Sequence, residues 1–275
     1  MLAPCHVCPR LCMVDRTAGE KGFCGIGEQA LVASAGAHFG EESVLVGEGG
    51  SGTIFFRGCN LHCVYCQNCN ISRETTGQAM TPEAIARLML SLQRENCSNI
   101  NLVTPTHVAP QVLEAIIIAR SIGLSLPIVY NCGGYESVEM LQMFDGYVDI
   151  YMPDFKYADG AIGLKYSQAE DYPQVARSAL AEMYRQVGPL QLDERGLAVR
   201  GVLVRHLMLP MDLGQAEKVI DIVAKTAPGC SINILSQYRP AFRAAEYPEL
   251  LVLPTKDQLK SARQYALKKG LDVVC

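Results

Sequence analysis

The sequence predicts an α/β protein, a partial (β/α)6 TIM-like barrel preceded by a Cys-rich N-terminal segment that would bind metal. Three observations predict it. From Ser51 onward, short apolar runs alternate with stretches of helical length, the pattern of a parallel sheet covered by helices. Six such strand–helix units follow one another, fewer than the eight of a closed barrel, so the sheet is expected to curve and stay partly open. Residues 1–50 break the rhythm, being rich in Cys and Gly with no long periodic segment, so the chain divides into 1–50 and 51–275.

The elements can be justified in order. Thr53 to Arg57 is an apolar run that ends at Gly58, a strand entering a loop. Thr81 caps a helix with Pro82 in its first position and apolar residues at helical spacing to about Glu95. Asn101 to Val103 reads as a strand, Pro110 to Gly123 as a helix, and Pro127 to Tyr130 as a strand. A helix from Ser137 to Phe144 and a strand from Tyr147 to Met152 follow. Tyr157 to Gln168 interrupts the alternation and is expected to be an inserted loop, with a long helix from Tyr172 to Val187 after it. Leu190 to Arg200 predicts a hairpin turning at Asp193 to Gly196. Gly201 to Met208 and Ile232 to Leu235 are strands, separated by a helix from Gln215 to Thr226. Residues 236–254 are irregular, and Thr255 to Lys269 is the last helix.

Composition narrows the function. Hydrophobic residues are 49% and charged residues 19%, enough for a large core and unlike a disordered chain. A net charge of −4 argues against nucleic acid as a general partner. No apolar run reaches the length of a membrane span, and the start lacks the charged and apolar regions of a signal peptide. A cytoplasmic protein is expected. In that reducing setting twelve cysteines are not a disulfide framework, and their clustering points to metal. Cys5, Cys8, Cys12 and Cys24 form one group and Cys59, Cys63, Cys66 and Cys69 another, while Cys97, Cys132, Cys230 and Cys275 are scattered.

The second group follows the first predicted barrel strand directly. Cys59, Cys63 and Cys66 are spaced Cys-x3-Cys-x2-Cys, and three thiolates on one tight loop can bind three irons of a [4Fe–4S] cubane. The fourth iron then stays open for a chelating ligand, as the open position of a catalytic zinc does. Cys69 offers a different count, because Cys63, Cys66 and Cys69 are spaced as in bacterial ferredoxins. A fourth thiolate would close the cluster and leave an electron carrier, although Asn70 to Glu74 has no Cys-Pro ending. A zinc-stabilised binding module is the remaining alternative.

Cys-x3-Cys-x2-Cys with an aromatic residue before the last cysteine resembles the signature of the radical S-adenosylmethionine (SAM) superfamily. The resemblance implies that Cys59, Cys63 and Cys66 are the ligands of a catalytic cluster. It further implies that SAM chelates the open iron and is cleaved to a 5′-deoxyadenosyl radical, and that Tyr65 packs beside cluster or adenine. Phe55 to Asn68 is similar to the activating enzymes of glycyl radical enzymes, such as pyruvate formate-lyase-activating enzyme, and nearer to an uncharacterised branch of their homologues. Those activases carry Gly-Gly-Glu-Pro against the SAM amino group where this chain has Thr104, Pro105, Thr106 and His107. Tyr130 to Gly134, with Asn131, resembles their Thr-Asn-Gly region, and Asp154 and Lys156 resemble their Asp-x-Lys motif. Arg205, His206, Gln237, Tyr238 and Arg239 fall at strand ends that would line the same pocket. Each also has a plainer reading: Asp154 and Lys156 as a surface ion pair, His206 as a hydrogen-bonded structural histidine. The implied partners are a reductant such as ferredoxin or flavodoxin and, as substrate, a glycine of a glycyl radical enzyme.

The N-terminal group, Cys5-x2-Cys8-x3-Cys12-x11-Cys24, would enclose either zinc or a second iron–sulfur cluster and draw much of its order from the metal. The alternative is a set of reduced, unliganded thiols.

Overall fold

The computed structural model describes residues 1–74 and 76–274, which leaves Cys275 outside the described residues. The chain enters as loops and turns and then lays down β1 (Ala30–His38), α1 (Ser43–Val46), β2 (Ser51–Phe56), α2 (Cys69–Ser72) and β3 (Gln78–Met80). From there helix and strand alternate: α3 (Pro82–Arg94), β4 (Ile100–Val103), α4 (Ala109–Ser121), β5 (Ile128–Cys132), α5 (Val138–Met143) and β6 (Ile150–Pro153). Two helices, α6 (Gly160–Ser167) and α7 (Tyr172–Val187), precede β7 (Gln191–Leu192) and β8 (Ala198–Leu207). The chain closes with α8 (Ala216–Thr226), β9 (Ser231–Leu235), α9 (Lys256–Lys268) and β10 (Asp272–Val273).

The described strands form one ten-stranded sheet in the order β10-β9-β8-β6-β5-β4-β2-β1-β3, with β7 paired to β8. Every pairing from β2 through β4, β5, β6, β8 and β9 to β10 is parallel, and the two ends of the order do not pair with each other. The expected open, partial barrel is therefore present, its six long parallel strands being β2, β4, β5, β6, β8 and β9.

Local signals account for most boundaries. Thr81 accepts a hydrogen bond from the Ala84 amide ahead of Pro82, and α3 turns Ile85, Ala86, Met89 and Leu92 inward. Ser137 caps α5, and Thr255 with Gln258 makes a reciprocal capping box on α9. The strands lie under these helices as a continuous apolar core, to which Ile54, Leu102, Tyr130, Tyr151, Val204 and Ile234 contribute. A second apolar cluster packs Leu45 of α1 against Val129, Ile150, Met152 and Leu203. Asn99 donates to the Leu45 carbonyl at 2.7 Å, so α1 sits at the N-terminal end of β4 and leaves the C-terminal strand ends free for the site.

Two expectations need correction. Residues 157–168 are not a plain loop: Asp159 caps α6 by accepting from the Ala161 amide at 2.7 Å, and Gln168 ends it in a left-handed conformation. Two glycines disguise this helix in the sequence, yet Gly163 is required by space, since a Cβ there would lie 2.4 Å from the Ala169 carbonyl oxygen. Residues 1–50 do hold an extended element. The nine residues of β1 pair antiparallel with β2 and β3, and their small Ala, Ser and Gly side chains hide the alternation that marks a strand.

Candidate functional site

β2 ends at Phe56, and the loop beyond it carries Cys59, Cys63 and Cys66. Cys59 Sγ accepts from the Leu61 amide at 3.3 Å, Cys63 Sγ from the Ser167 hydroxyl at 3.0 Å, and Cys66 Sγ lies 3.2 Å from Ser72 Oγ. Burial pushes the Cys59 thiol up to about 12, and the neighbouring Cys63 adds to the shift. Cys63 is raised by burial as well, although Lys156 draws it partly back. Half-buried thiols that oppose one another's ionisation are neutral on their own. A cationic iron–sulfur cluster removes that opposition by deprotonating and neutralising them, so the donor set suits one. Among the described residues no three His, Cys, Asp or Glu side chains converge as ligands of a single ion. A cubane asks instead for thiolates on separate irons.

Beside these thiols lies a cavity of about 350 Å³, lined by Cys63, Cys66, Asp154, Lys156, Arg205 and Gln237 among others. Asp154 follows β6 and takes Lys156 Nζ on one carboxylate oxygen at 2.6 Å and Arg205 Nε on the other at 3.2 Å. Arg205, from β8, donates through Nη2 to Asn131 Oδ1 at 2.6 Å, and its Nη1 lies 3.6 Å from Glu41 Oε2. Burial alone would raise the Asp154 carboxyl, but Lys156 and Arg205 outweigh it and hold the group below its ordinary value. Burial likewise opposes the Lys156 charge, and Asp154 followed by Cys63 overcomes it, so the ammonium is held well above its ordinary value. The cavity therefore presents fixed charges of both signs next to two thiols, Cys63 and Cys66, while Cys59 lies outside its wall. That suits a zwitterionic ligand with a carboxylate, an amine and hydroxyls to satisfy.

The structure thus brings together Cys63, Tyr65, Cys66, Asp154, Lys156 and Arg205, with Asn131 one hydrogen bond behind them. Tyr65 lines the cavity but is itself buried, its hydroxyl turned to Tyr157. Thr104, Thr106, His107, His206, Tyr238 and Arg239, also expected at the pocket, do not line this cavity. Thr104 gives its backbone amide to the Asn131 carbonyl at 2.8 Å, and the Thr106 hydroxyl donates to Glu136 at 2.7 Å. His107 Nε2 lies 2.6 Å from the Arg57 carbonyl oxygen, and the residue lines the crevice of the N-terminal cysteines. His206 alternates with Arg205 along β8 and takes the other face, its Nδ1 2.7 Å from the Phe155 carbonyl oxygen. Cys69 opens the short helix α2 and is not part of the cavity wall. Sequence reasoning missed Glu41 and Ser167, which reach the site from distant segments and carry no local signal.

The N-terminal cysteines gather around a small crevice. Cys5, Cys8, Cys12 and Cys24 line it together with Arg16 and His107. The Cys5 amide donates to the Val14 carbonyl at 2.8 Å and the Met13 amide to Cys5 at 3.0 Å, which folds the first thiols into a knuckle. Burial pushes Cys8 up to about 12. Arg16 is 1% exposed, donates to the His107 carbonyl at 2.8 Å, and brings its guanidinium to 3.9 Å from Cys5 Sγ.

Residues 45–150 match the family model of a 4Fe–4S single cluster domain. The fold is shared with HydG, a maturase of the [FeFe]-hydrogenase, at a TM-score of 0.53 and 12% identity over 77% of this chain and 47% of that one. It is shared equally with methylornithine synthase (PylB), at a TM-score of 0.52 and 14% identity over 78% of this chain and 60% of that one. The chain thus spans about half the length of HydG and three-fifths of PylB. The comparisons thus define a chain that carries a 4Fe–4S cluster domain on the fold of HydG and PylB. Two curated relatives from Methanocaldococcus jannaschii align over nearly the whole chain. Uncharacterized protein MJ0674 is 31% identical over 280 residues, covering 98% of this chain and 76% of its own. Uncharacterized protein MJ0808 is 25% identical over 301 residues, covering 98% and 79%. The chain belongs to the family of MJ0674. Among the described residues, no helix is long and apolar enough to cross a membrane.

Proposed function

We propose that this protein reductively cleaves SAM and uses the resulting radical to remove a hydrogen atom from a substrate at the open end of the barrel. The observation that carries the reading is the adjacency of Cys63 and Cys66 to the Asp154–Lys156–Arg205 charge group in one cavity. Cys59, Cys63 and Cys66 would hold a [4Fe–4S] cluster, which when bound to SAM supplies the electron that breaks a carbon–sulfur bond and yields a 5′-deoxyadenosyl radical. The chain's own work is binding and orientation. Lys156 offers a donor to the SAM carboxylate, Asp154 an acceptor to its amine or ribose, and Arg205 keeps Asp154 and Asn131 in place. The likeness of Phe55 to Asn68 to the glycyl-radical activases makes a backbone glycine of a partner enzyme the preferred substrate, with a ferredoxin or flavodoxin as reductant. The four N-terminal thiols are proposed as a second metal site, zinc or iron–sulfur, in a segment reading of 1–50 and 51–275.

The test is anaerobic reconstitution with iron and sulfide, followed by electron paramagnetic resonance with and without SAM and an assay for 5′-deoxyadenosine. A cluster signal that shifts with SAM, with nucleoside release lost in Cys59→Ala, is the expected result. A cluster indifferent to SAM would make the protein an electron carrier instead.

A further inference from the structure

Cys63 ends a buried hydrogen-bond chain that SAM binding leaves without a task. Ser167, the last residue of α6, is fully buried and donates from its hydroxyl to Cys63 Sγ at 3.0 Å. A hydroxyl has one proton, so Ser167 Oγ must accept from the Tyr157 hydroxyl, 2.7 Å away. The Tyr157 proton is then spent, and Tyr157 accepts from Tyr65. Tyr157 and Tyr65 are also buried, so the chain has a single direction, from Tyr65 through Tyr157 and Ser167 to the sulfur. Aligned donors polarise one another, which strengthens the last bond in the series.

A second set of contacts holds Ser167 in place. Arg10, which lies between Cys8 and Cys12, donates from Nη2 to the Ser167 carbonyl at 3.2 Å and from Nη1 to that of Gln168. Its Nε donates to the Asn60 carbonyl at 2.8 Å, next to Cys59. The guanidinium carbon lies 3.9 Å from the Phe23 ring centre and 5.1 Å from that of Tyr135, and Phe23 stacks on His62 at 3.7 Å. One side chain of the N-terminal segment thereby clamps the end of α6 to the loop that carries Cys59 and Cys63.

We infer that Ser167 is a positioning residue that raises the reduction potential of the cluster through Cys63, and that Arg10 couples the N-terminal segment to that potential by holding Ser167. The inference rests on the assignment of Cys59, Cys63 and Cys66 as cluster ligands. A hydrogen bond to a ligand sulfur favours the more negatively charged, reduced cluster, and hydrogen bonds to sulfur are among the main determinants of cluster potential.

The experiment is a potentiometric titration of the anaerobically reconstituted full-length protein, followed by electron paramagnetic resonance of the reduced cluster. Ser167→Ala should move the midpoint to a more negative value at unchanged iron content, and Ser167→Thr, which keeps a hydroxyl, should restore it. Tyr157→Phe, which leaves the backbone of α6 alone, should give a smaller shift of the same sign. Arg10→Ala should shift the midpoint in the wild-type background and add nothing in Ser167→Ala. An unmoved midpoint in Ser167→Ala and Tyr157→Phe overturns the inference, and additive shifts overturn the role of Arg10. A wild-type protein that assembles no cluster overturns the ligand assignment and this inference with it.

Discussion

Asp154 and Arg205 meet at 3.2 Å across the adjacent parallel strands β6 and β8, where their backbones also form an isolated bridge. With Lys156 on the other carboxylate oxygen at 2.6 Å, one anion compensates two cations whose side chains are each 17% exposed. Removing the anion leaves Lys156 without a partner charge and Arg205 with Glu41 alone, at 3.6 Å. Asp154→Asn is expected to cost about 3 kcal/mol of unfolding free energy, the lower end for breaking a buried pair. The sign with pH follows from the depressed Asp154 value. The pair's contribution is complete above the ordinary carboxylate range and is lost as pH falls through the folded value below it. Urea unfolding of wild type and variant at pH 7 and under acid conditions checks both points, because the two curves should converge in acid. Equal stability at pH 7 would show that water already screens the pair.

Gly134 predicts a sharper steric effect at the same place. It has a φ of +80°, and a Cβ there would lie 2.1 Å from the Asp154 carbonyl oxygen. Gly133 next to it would meet a Leu61 methyl at 3.1 Å, and a flexible side chain can move aside. Gly134→Ala is therefore expected to destabilise by more than about 1 kcal/mol and to weaken SAM binding by displacing Asp154. Gly133→Ala should stay near wild type in both. Thermal unfolding and equilibrium SAM titration of the two reconstituted variants separate the cases, and similar behaviour would remove the special role of Gly134.

Glu136 sets a slope of the opposite sign. It is 3% exposed, and burial pushes its carboxyl up to about 7 despite hydrogen bonds from Thr106 and Tyr130. A carboxyl whose folded value is raised adds stability below its unfolded value of 4.5 and loses it as pH rises through the folded one. Glu136→Gln should accordingly gain on wild type as pH climbs from 5 to 8, by about 3 kcal/mol at the upper end. Denaturant midpoints across that range test it. A difference between variant and wild type that does not change with pH would mean that Glu136 stays ionised throughout.

Much of this architecture was legible in the sequence, because caps and apolar periodicity are local. Thr81 with Pro82, Ser137, and Thr255 each marked a helix start that the structure reproduces. The cysteine spacing likewise located the loop after β2, and the strand-end rule located Asp154, Lys156 and Arg205. What stayed hidden depends on tertiary packing. Alternation along β8 decides that Arg205 faces the cavity while His206 faces away, and the phase of that alternation cannot be read from two polar neighbours. Glu41 reaches Arg205 across 164 positions of sequence (205 − 41), and Arg10 reaches Ser167 across 157, separations at which spacing carries no signal. The glycines of α6 conceal its helix for the same reason, since their need arises from the Ala169 and Glu170 carbonyls packed against them.

Cys69 is the remaining thiol of the central group, and its position separates an open cluster from a closed one. It lies at the start of α2, outside the wall that Cys63 and Cys66 share with Asp154 and Lys156. The charges acting most strongly on Cys59 include Cys63, Cys66 and Lys156, and Cys69 is not among them. On the proposed function, a fourth ligand would also occupy the iron that SAM needs. Cys69→Ala is therefore expected to keep the iron and sulfide content of the central cluster and its spectral response to SAM. Cys59→Ala should lose both, since two thiolates alone do not retain a cubane. Both variants are best made with Cys5, Cys8, Cys12 and Cys24 replaced by Ser, so that iron bound at the N-terminal thiols does not mask the result. Loss of iron in Cys69→Ala equal to that in Cys59→Ala would show a closed cluster and replace the proposed SAM cleavage with electron transfer.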